Sequence, residues 1–167
     1  SLALKNAGHE ANAGRAIIDT QKQMISTKQT LDSLIAEVRT MKPLDVFSQR
    51  AEVAYNNGVT CIEKRQLPEV DGYKKQLAGI KQDIGNFSTF QRKAEEVYAD
   101  IKAVAREEQA KAEGEKLYSE AKQLIAAAEV SRLGDTVKRL EDMDSTINQE
   151  YTIKIVNKPG VKSGIDR

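Results

Sequence analysis

The sequence predicts a mainly α protein: an elongated antiparallel helical bundle or coiled-coil hairpin that ends in a short β-hairpin or strand. Three observations predict this fold class. Aliphatic residues recur at spacings of three, four and seven along most of the chain, which is the period of one helix face. Aromatic residues make up only 5% of the 167 residues and Trp is absent, which does not favour a thick globular core. Only the last stretch of the chain is β-branched and alternating.

The first predicted helix covers residues 3–41. Its apolar residues recur every seven positions, and companion residues fill the second heptad position. The first set is Ile17, Met24, Leu31 and Val38, and the second is Thr20, Thr27, Leu34 and Met41. Pro43 ends this helix, because proline cannot continue the backbone hydrogen bonding. The start of the helix is rich in Ala and Gly, so it either frays or lets another helix come close.

Two short helices, 45–56 and 59–66, are predicted next as a helix–turn–helix. The turn is Asn56-Asn57-Gly58, because glycine readily takes the left-handed conformation that ends a helix. A single helix that tolerates Gly58 is the alternative. Pro68 then starts the following element, where its missing N–H does no harm.

A long helix over residues 69–113 carries the strongest apolar stripe. The stripe consists of Tyr73, Leu77, Ile80, Ile84, Phe87, Phe90, Ala94, Val97, Ile101 and Val104. A kink or short interruption is predicted near residue 86, at Gly85-Asn86, and two antiparallel helices joined there are the alternative. Residues 105–116 lack any large apolar side chain, which predicts the tip of a hairpin or an exposed bridge.

Two further helices are predicted over 115–130 and 135–148, separated at Leu133-Gly134-Asp135, where Asp135 is a plausible N-cap. Residues 1–149 would then form one elongated helical bundle. Residues 150–167 form a β segment, possibly the start of a truncated unit, with a strand over 150–156, a turn at 157–160 and a return strand over 161–167.

The composition argues against catalysis and against most ligands. The net charge is +1 from 26 basic and 25 acidic residues, so no strong field favours nucleic acid or an anionic membrane. His9 and Cys61 are each the only residue of their type, which does not supply a metal site or a nucleophilic pair. The acidic neighbours Glu95/Glu96 and Glu107/Glu108 diverge around a helix. No enzyme activity, cofactor, metal or membrane span is therefore predicted.

The predicted function is a non-catalytic helical scaffold or adaptor that binds a protein partner or a second copy of itself. Two interaction seams are predicted, the first from Met24, Leu31, Leu34 and Val38, and the second from Ile80, Ile84, Phe87, Val97 and Ile101. One alternative is a stalk or sensor domain of a membrane-tethered bacterial protein. The other is the accessory part of an enzyme whose active site lies outside this segment. The compartment is not fixed: the segment is expected to be soluble, cytoplasmic or tethered by a span outside it.

The C-terminal stretch resembles a known family. Leu140, the run Glu150-Tyr151-Thr152-Ile153-x-Ile155-Val156, then Gly160 and Ser163-Gly164-Ile165-x-Arg167 are similar to a segment of an uncharacterised bacterial family of helical proteins. The resemblance covers about the last 30 residues. It implies a helical region that runs into a small β segment of a longer chain, and it implies no activity.

Overall fold

The fold is made of helices. The structure, a computed structural model, describes residues 2–156, and it describes side chains over residues 5–156. Five helices follow one another: α1 (Leu2–Thr40), α2 (Asp45–Glu63), α3 (Leu67–Val104), α4 (Glu108–Ala126) and α5 (Val130–Val156). No strand occurs within residues 2–156. The predicted mainly α class is confirmed.

The chain divides into two compact units. The first unit ends at Ile84 and contains α1, α2 and the first half of α3. The second unit begins at Gly85 and contains the rest of α3 together with α4 and α5. Helix α3 is helical at every residue through Gly85 and Asn86, so the interruption predicted there is absent.

The core of the first unit is mainly aliphatic and includes the ring of Phe47. Ion pairs and hydrogen bonds show α2 antiparallel to α1, since Asp32 binds Tyr55 and Arg39 binds Glu52. The side chains that are almost fully buried here are Leu31, Ile35, Val38, Phe47, Ala51, Ala54, Val70 and Leu77. Burying each Leu or Ile stabilises the fold by roughly 1.5–3 kcal/mol, so these residues hold the three helical segments together.

The core of the second unit lies between α3, α4 and α5. The short connection before α5 lets it run antiparallel to α4, with Arg139 bound to Glu120. The buried side chains include Phe87, Ala94, Ile101, Leu117, Ala121, Leu133, Val137 and Leu140. The rings of Tyr98 on α3 and Tyr118 on α4 stack at 4.2 Å between centroids, which adds an aromatic contact beside this core.

Helix α2 is continuous, so the two predicted helices 45–56 and 59–66 are one, and the alternative with a tolerated glycine is the observed arrangement. Gly58 is buried where α1 comes close. A Cβ at this position would lie 2.9 Å from Leu31 Cδ1 and 3.4 Å from Tyr73 Cβ. The glycine therefore permits close helix packing and does not form a turn.

The break predicted at Leu133-Gly134-Asp135 is also wrong, because α5 runs through it. Gly134 faces the ring of Phe90, and a Cβ there would lie 2.9 Å from Phe90 Cε2. As at Gly58, the missing side chain makes room for a neighbouring helix. The predicted helices 115–130 and 135–148 correspond instead to α4 and α5, which begin at Glu108 and Val130.

Helix α3 ends at Val104, nine residues before the end predicted for it at 113. The backbone leaves the helix at Ala105, whose side chain is buried. The Arg106 guanidinium donates to the carbonyl oxygen of Ala103 at 3.1 Å and lies over the ring of Tyr151 at 5.5 Å. These contacts satisfy a free carbonyl at the helix end without glycine or proline, so the sequence carries no break signal here.

The strand predicted over residues 150–156 is wrong, because these residues form the last two turns of α5. The Thr152 hydroxyl donates to the carbonyl oxygen of Asn148 at 2.9 Å, and Lys154 reaches Glu107 at 3.1 Å. A continued helix satisfies its own backbone groups, whereas an isolated hairpin is marginally stable in water. The predicted turn at 157–160 and return strand at 161–167 lie outside the described residues.

Candidate functional site

The first predicted seam lies mostly inside the first unit. Leu31 and Val38 are 0% and 1% exposed, and Leu31 lies against Gly58 of α2. Met24 and Leu34 are half-buried at the edge of the same face. The sequence analysis missed Ile35, which is equally buried and lies four residues after Leu31 on the core face. A partner therefore has access only to the margins of this seam.

The second predicted seam is divided between the two units. Ile84 belongs to the first, while Phe87, Val97 and Ile101 belong to the second. Ile84, Phe87 and Ile101 are buried, and Val97 is half-buried. Ile80 is half-buried and is the one member that lines an open groove. The predicted residues lie along α3, but most of them are buried in the cores of the chain's own two units.

An apolar groove runs between α2 and the first half of α3. Its volume is about 570 Å³. Apolar contributions come from Val46, Val53, Ala54, Gly79 and Ile80, and the polar rim consists of Gln49, Arg50, Gln76 and Asp83. Val53 is 59% exposed, although valine is usually buried in a helical protein. The groove thus offers an open apolar floor with one positive and one negative group at its edges.

The opposite side of α2 is joined to α1 by a polar cluster. The Lys28 ammonium donates to Asp32 at 2.8 Å and to the Tyr55 hydroxyl at 3.0 Å, and the same hydroxyl donates to Asp32. Hydrogen bonds from Lys28 and then from Tyr55 hold the pKa of Asp32 below its ordinary value. Arg39 binds Glu52 with two hydrogen bonds and lies 5.9 Å from the Tyr55 ring centroid. Every ionic group of this cluster has a protein partner, which indicates a structural role.

The N-terminal half of α1 leaves large aliphatic residues uncovered. Ile17, Ile18 and Ile25 are 60%, 52% and 61% exposed. Between residues 5 and 19 every side chain is exposed except at Gly14. An isolated exposed isoleucine is ordinary, whereas three lie here within three helical turns.

An acidic groove of about 500 Å³ lies between α4 and α5. Its charged lining consists of Glu107, Glu113, Asp142 and Glu150, with Arg139 as the one base. Arg139 is bound to Glu120 at 3.3 Å. The lining carboxylates are spread along two helices, and they do not form a close pair of the kind used for acid–base chemistry.

Two carboxylates of the second unit do lie together. The Asn148 amide donates to Asp100 at 3.1 Å and to Asp144 at 3.0 Å, so it bridges α3 and α5. Burial first, and then the hydrogen bond and charge of Asp100, raise the pKa of Asp144 to about 6. The Asp144 carboxyl therefore keeps its proton to a higher pH than an ordinary aspartate does.

The remaining candidates from the sequence do not converge. His9 is exposed on α1, and Cys61 is buried in α2 as a free thiol. Glu95, Glu96, Glu107 and Glu108 are exposed. Within the described part of the chain, no group of three or more His, Cys, Asp or Glu side chains is arranged to hold a metal ion.

The fold and these surfaces define a helical-bundle protein. The chain belongs to DUF6384, a family of unknown function, whose sequence profile matches residues 73–167. The match therefore extends far upstream of the last 30 or so residues that carried the resemblance, and it includes most of α3 together with α4 and α5.

No curated protein and no solved structure matches the chain. None of the helices within residues 2–156 combines the length and apolar content needed to cross a membrane.

Proposed function

We propose that the chain is a non-catalytic helical scaffold that binds a protein partner through apolar surfaces left open on its helices. The observation that supports this best is the groove between α2 and α3. Its floor is formed by Val53, Ala54 and Ile80, and its volume of about 570 Å³ is open along one side. A groove between two helices accepts the apolar face of a third, as in many helix-in-groove complexes.

The chemistry of the groove favours an amphipathic helix as the partner. Apolar residues at positions i, i+3, i+4 and i+7 of such a helix would cover Val53 and Ile80. Arg50 and Asp83 at the rim would pair with one acidic and one basic residue that flank the apolar face. These rim charges contribute to orientation more than to affinity, because exposed ion pairs are weak.

Site-specific photo-crosslinking tests this proposal. A photoreactive residue replaces Val53 in the groove, and a matched chain carries it at Ser33, which is exposed on α1 outside the groove. After irradiation in cells that make the protein, we expect one discrete protein adduct from position 53 and none from position 33. Excess unlabelled wild-type chain should compete for the adduct, and Val53→Asp should not.

Substituting Val53 does not endanger the fold, because its side chain is 59% exposed. Equal adducts from positions 53 and 33, or equal competition by Val53→Asp, would contradict the proposed function.

A further inference from the structure

We propose that the acidic groove between α4 and α5 binds a basic amphipathic helix of a protein partner. This groove belongs to the second unit, whereas the groove between α2 and α3 belongs to the first. The inference goes beyond the proposed function, because it concerns a second surface and assigns to its partner a charge that the first groove does not select.

The floor of the acidic groove is apolar and follows the helix period. Ala110 and Leu117 lie seven residues apart on α4, and Met143 and Ile147 lie four residues apart on α5. Leu117 and Ile147 are buried, and Ala110 and Met143 are half-buried. Such rows leave depressions that accept apolar side chains of a third helix at positions i, i+3 or i+4, and i+7. On the α4 side the lining covers residues 107–117, which span roughly 15 Å, or about three turns of a helix.

The rims of the groove carry unpaired negative charge on both sides. Glu113 lies on the α4 rim, and Asp142 and Glu150 lie on the α5 rim. All three side chains are exposed, and none of them forms an ion pair with another residue between positions 5 and 156. A basic partner would therefore gain new ion pairs here without breaking existing ones.

The other charged residues of the lining are already paired. Arg139 binds Glu120 at 3.3 Å, and Glu107 binds Lys154 at 3.1 Å. The groove as a whole is therefore negative. A helix with Lys or Arg on both flanks of its apolar face complements this charge, and an acidic helix is repelled.

The spacing of the carboxylates favours side-chain cations over a metal ion. Among the residues that the structure describes, acidic side chains do not converge as a metal site. Ammonium or guanidinium groups on a partner helix would reach these carboxylates one at a time. Because the charges are exposed, salt screens them, so we expect a reversible complex whose affinity falls as ionic strength rises.

Fluorescence anisotropy of a labelled synthetic peptide mixed with the full chain tests the inference. The peptide is a helix of about 14 residues, roughly four turns, with leucines along one face and lysines on both flanks of that face. We expect saturable binding that weakens as salt is added. Two comparison peptides should not bind: one carries glutamate in place of each lysine, and the other has the same composition in an order that removes the apolar face.

Neutralising the rims locates the peptide on the chain. The triple variant Glu113→Gln/Asp142→Asn/Glu150→Gln should weaken binding about tenfold, because each exposed pair is weak but three are lost together. All three positions are exposed, so circular dichroism should show the helicity of the wild-type chain.

The matched control is Glu10→Gln/Asp19→Asn/Glu63→Gln. It removes the same charge at exposed positions of α1 and α2, and it should bind the peptide as the wild-type chain does. Equal weakening in the two triple variants would show that overall charge alone attracts the peptide, and it would overturn the inference.

The two grooves are tested separately. Val53→Asp should leave peptide binding unchanged, and the photo-crosslink from position 53 should survive neutralisation of the rims between α4 and α5. Failure here and failure of the proposed function are therefore distinguishable. No binding to the wild-type chain, equal binding of the reordered peptide, or loss of binding in Val53→Asp overturns the inference.

Discussion

At the scale of single residues, glycine has a different role from the one its sequence context indicates. Asn56-Asn57-Gly58 and Leu133-Gly134-Asp135 both have the composition of turns, yet both lie inside helices. The reason is tertiary: Gly58 faces Leu31, and Gly134 faces Phe90. Local composition cannot show which glycine will meet a neighbouring helix, because that neighbour is distant in sequence.

Replacing Gly58 with alanine should destabilise the chain relative to the matched change Gly85→Ala. Alanine favours a helix over glycine by about 1 kcal/mol at either position. At Gly58 the new Cβ would lie 2.9 Å from Leu31 Cδ1, whereas at Gly85 nothing lies within 4 Å. Overpacking costs typically 1–3 kcal/mol, so urea unfolding should separate the two variants by about that amount. Equal free energies of unfolding would contradict the close contact.

Protonation of Asp144 should make stability depend on pH. Its pKa is raised to about 6 in the folded chain from an ordinary value of 3.8, chiefly by burial. Between these values the folded chain binds the proton more tightly, so raising the pH through this window lowers the free energy of unfolding. The pKa of Asp100 is lowered, chiefly by its hydrogen bond with Asp144, so its effect has the opposite sign and falls below this window.

The variant Asp144→Asn isolates this effect. We expect its stability to fall less than that of the wild-type chain between pH 4 and pH 7, by roughly 1 kcal/mol after allowance for solvent screening. Urea unfolding at several pH values measures the difference. Asp142→Asn, at an exposed position two residues away, is the control and should follow the wild-type profile. Parallel profiles for all three chains would show that the Asp144 proton is not linked to folding.

At the scale of helices, the ends were harder to predict than the interiors. α2 and α4 end in Schellman motifs with a non-glycine residue in the left-handed position, Arg65 with φ 60° and Ala128 with φ 53°. In α2, Arg65 N–H donates to Ile62 at 2.9 Å and Gln66 N–H donates to Cys61 at 2.8 Å. Because neither position is glycine, the usual sequence signal for a helix end is missing.

Arg65→Gly should stabilise the chain. The left-handed conformation costs an L-residue roughly 1–2 kcal/mol, and glycine adopts it freely. We expect a gain of about 1 kcal/mol in thermal or urea unfolding, reduced by the larger entropy of glycine in the unfolded chain. Lys64→Gly is the control, since Lys64 has φ −83° and should gain nothing from the change. A loss of stability in Arg65→Gly would contradict the assigned helix end.

At the C-terminal end of α5, a local sequence pattern predicted the wrong secondary structure. Residues 150–156 alternate and are β-branched, which is typical of a strand. Their backbone continues the helix that starts at Val130, and Thr152 back-bonds to Asn148. Propensity differences between helix and strand are small for these residue types, so continuity with an established helix outweighs them.

At the scale of the whole molecule, the long apolar periodicities were sufficient for the fold class and for most helices. The predicted helix 3–41 agrees with α1 to within a residue at each end. The division at Ile84 and Gly85 lies beside Gly85-Asn86, where the sequence predicted a kink or short interruption, although the helix itself is not interrupted there. Heptad spacing identified apolar faces correctly but could not tell which face would be covered by the chain itself.

The candidate surfaces illustrate the same limit. Leu31 and Ile101 were predicted as seam residues and are buried in their own units. Val53 and Ile25 were not predicted as contact residues, and both are exposed. Their exposure depends on how α2 and α3 pack in the folded chain, which is a tertiary property. The exposed apolar residues are therefore identified by the structure and not by the sequence.

Truncating Leu31 tests the core of the first unit. Its side chain is 0% exposed, so Leu31→Ala should cost about 2–5 kcal/mol in urea unfolding, from lost burial and the cavity that remains. Val53→Ala, at 59% exposure, should change stability by no more than about 0.5 kcal/mol. Similar losses of stability for both variants would mean that the two side chains do not differ in burial.

The most direct test of the central claim, that the groove between α2 and α3 binds a protein partner, is isoleucine and valine methyl NMR with and without the protein captured from position 53. We expect the methyl signals of Val53 and Ile80, in the groove, to shift when that protein is added. The signal of Ile101, in the core, should stay fixed. No shift at Val53 and Ile80, or a shift confined to Ile153 and Ile155 at the end of α5, would contradict the account.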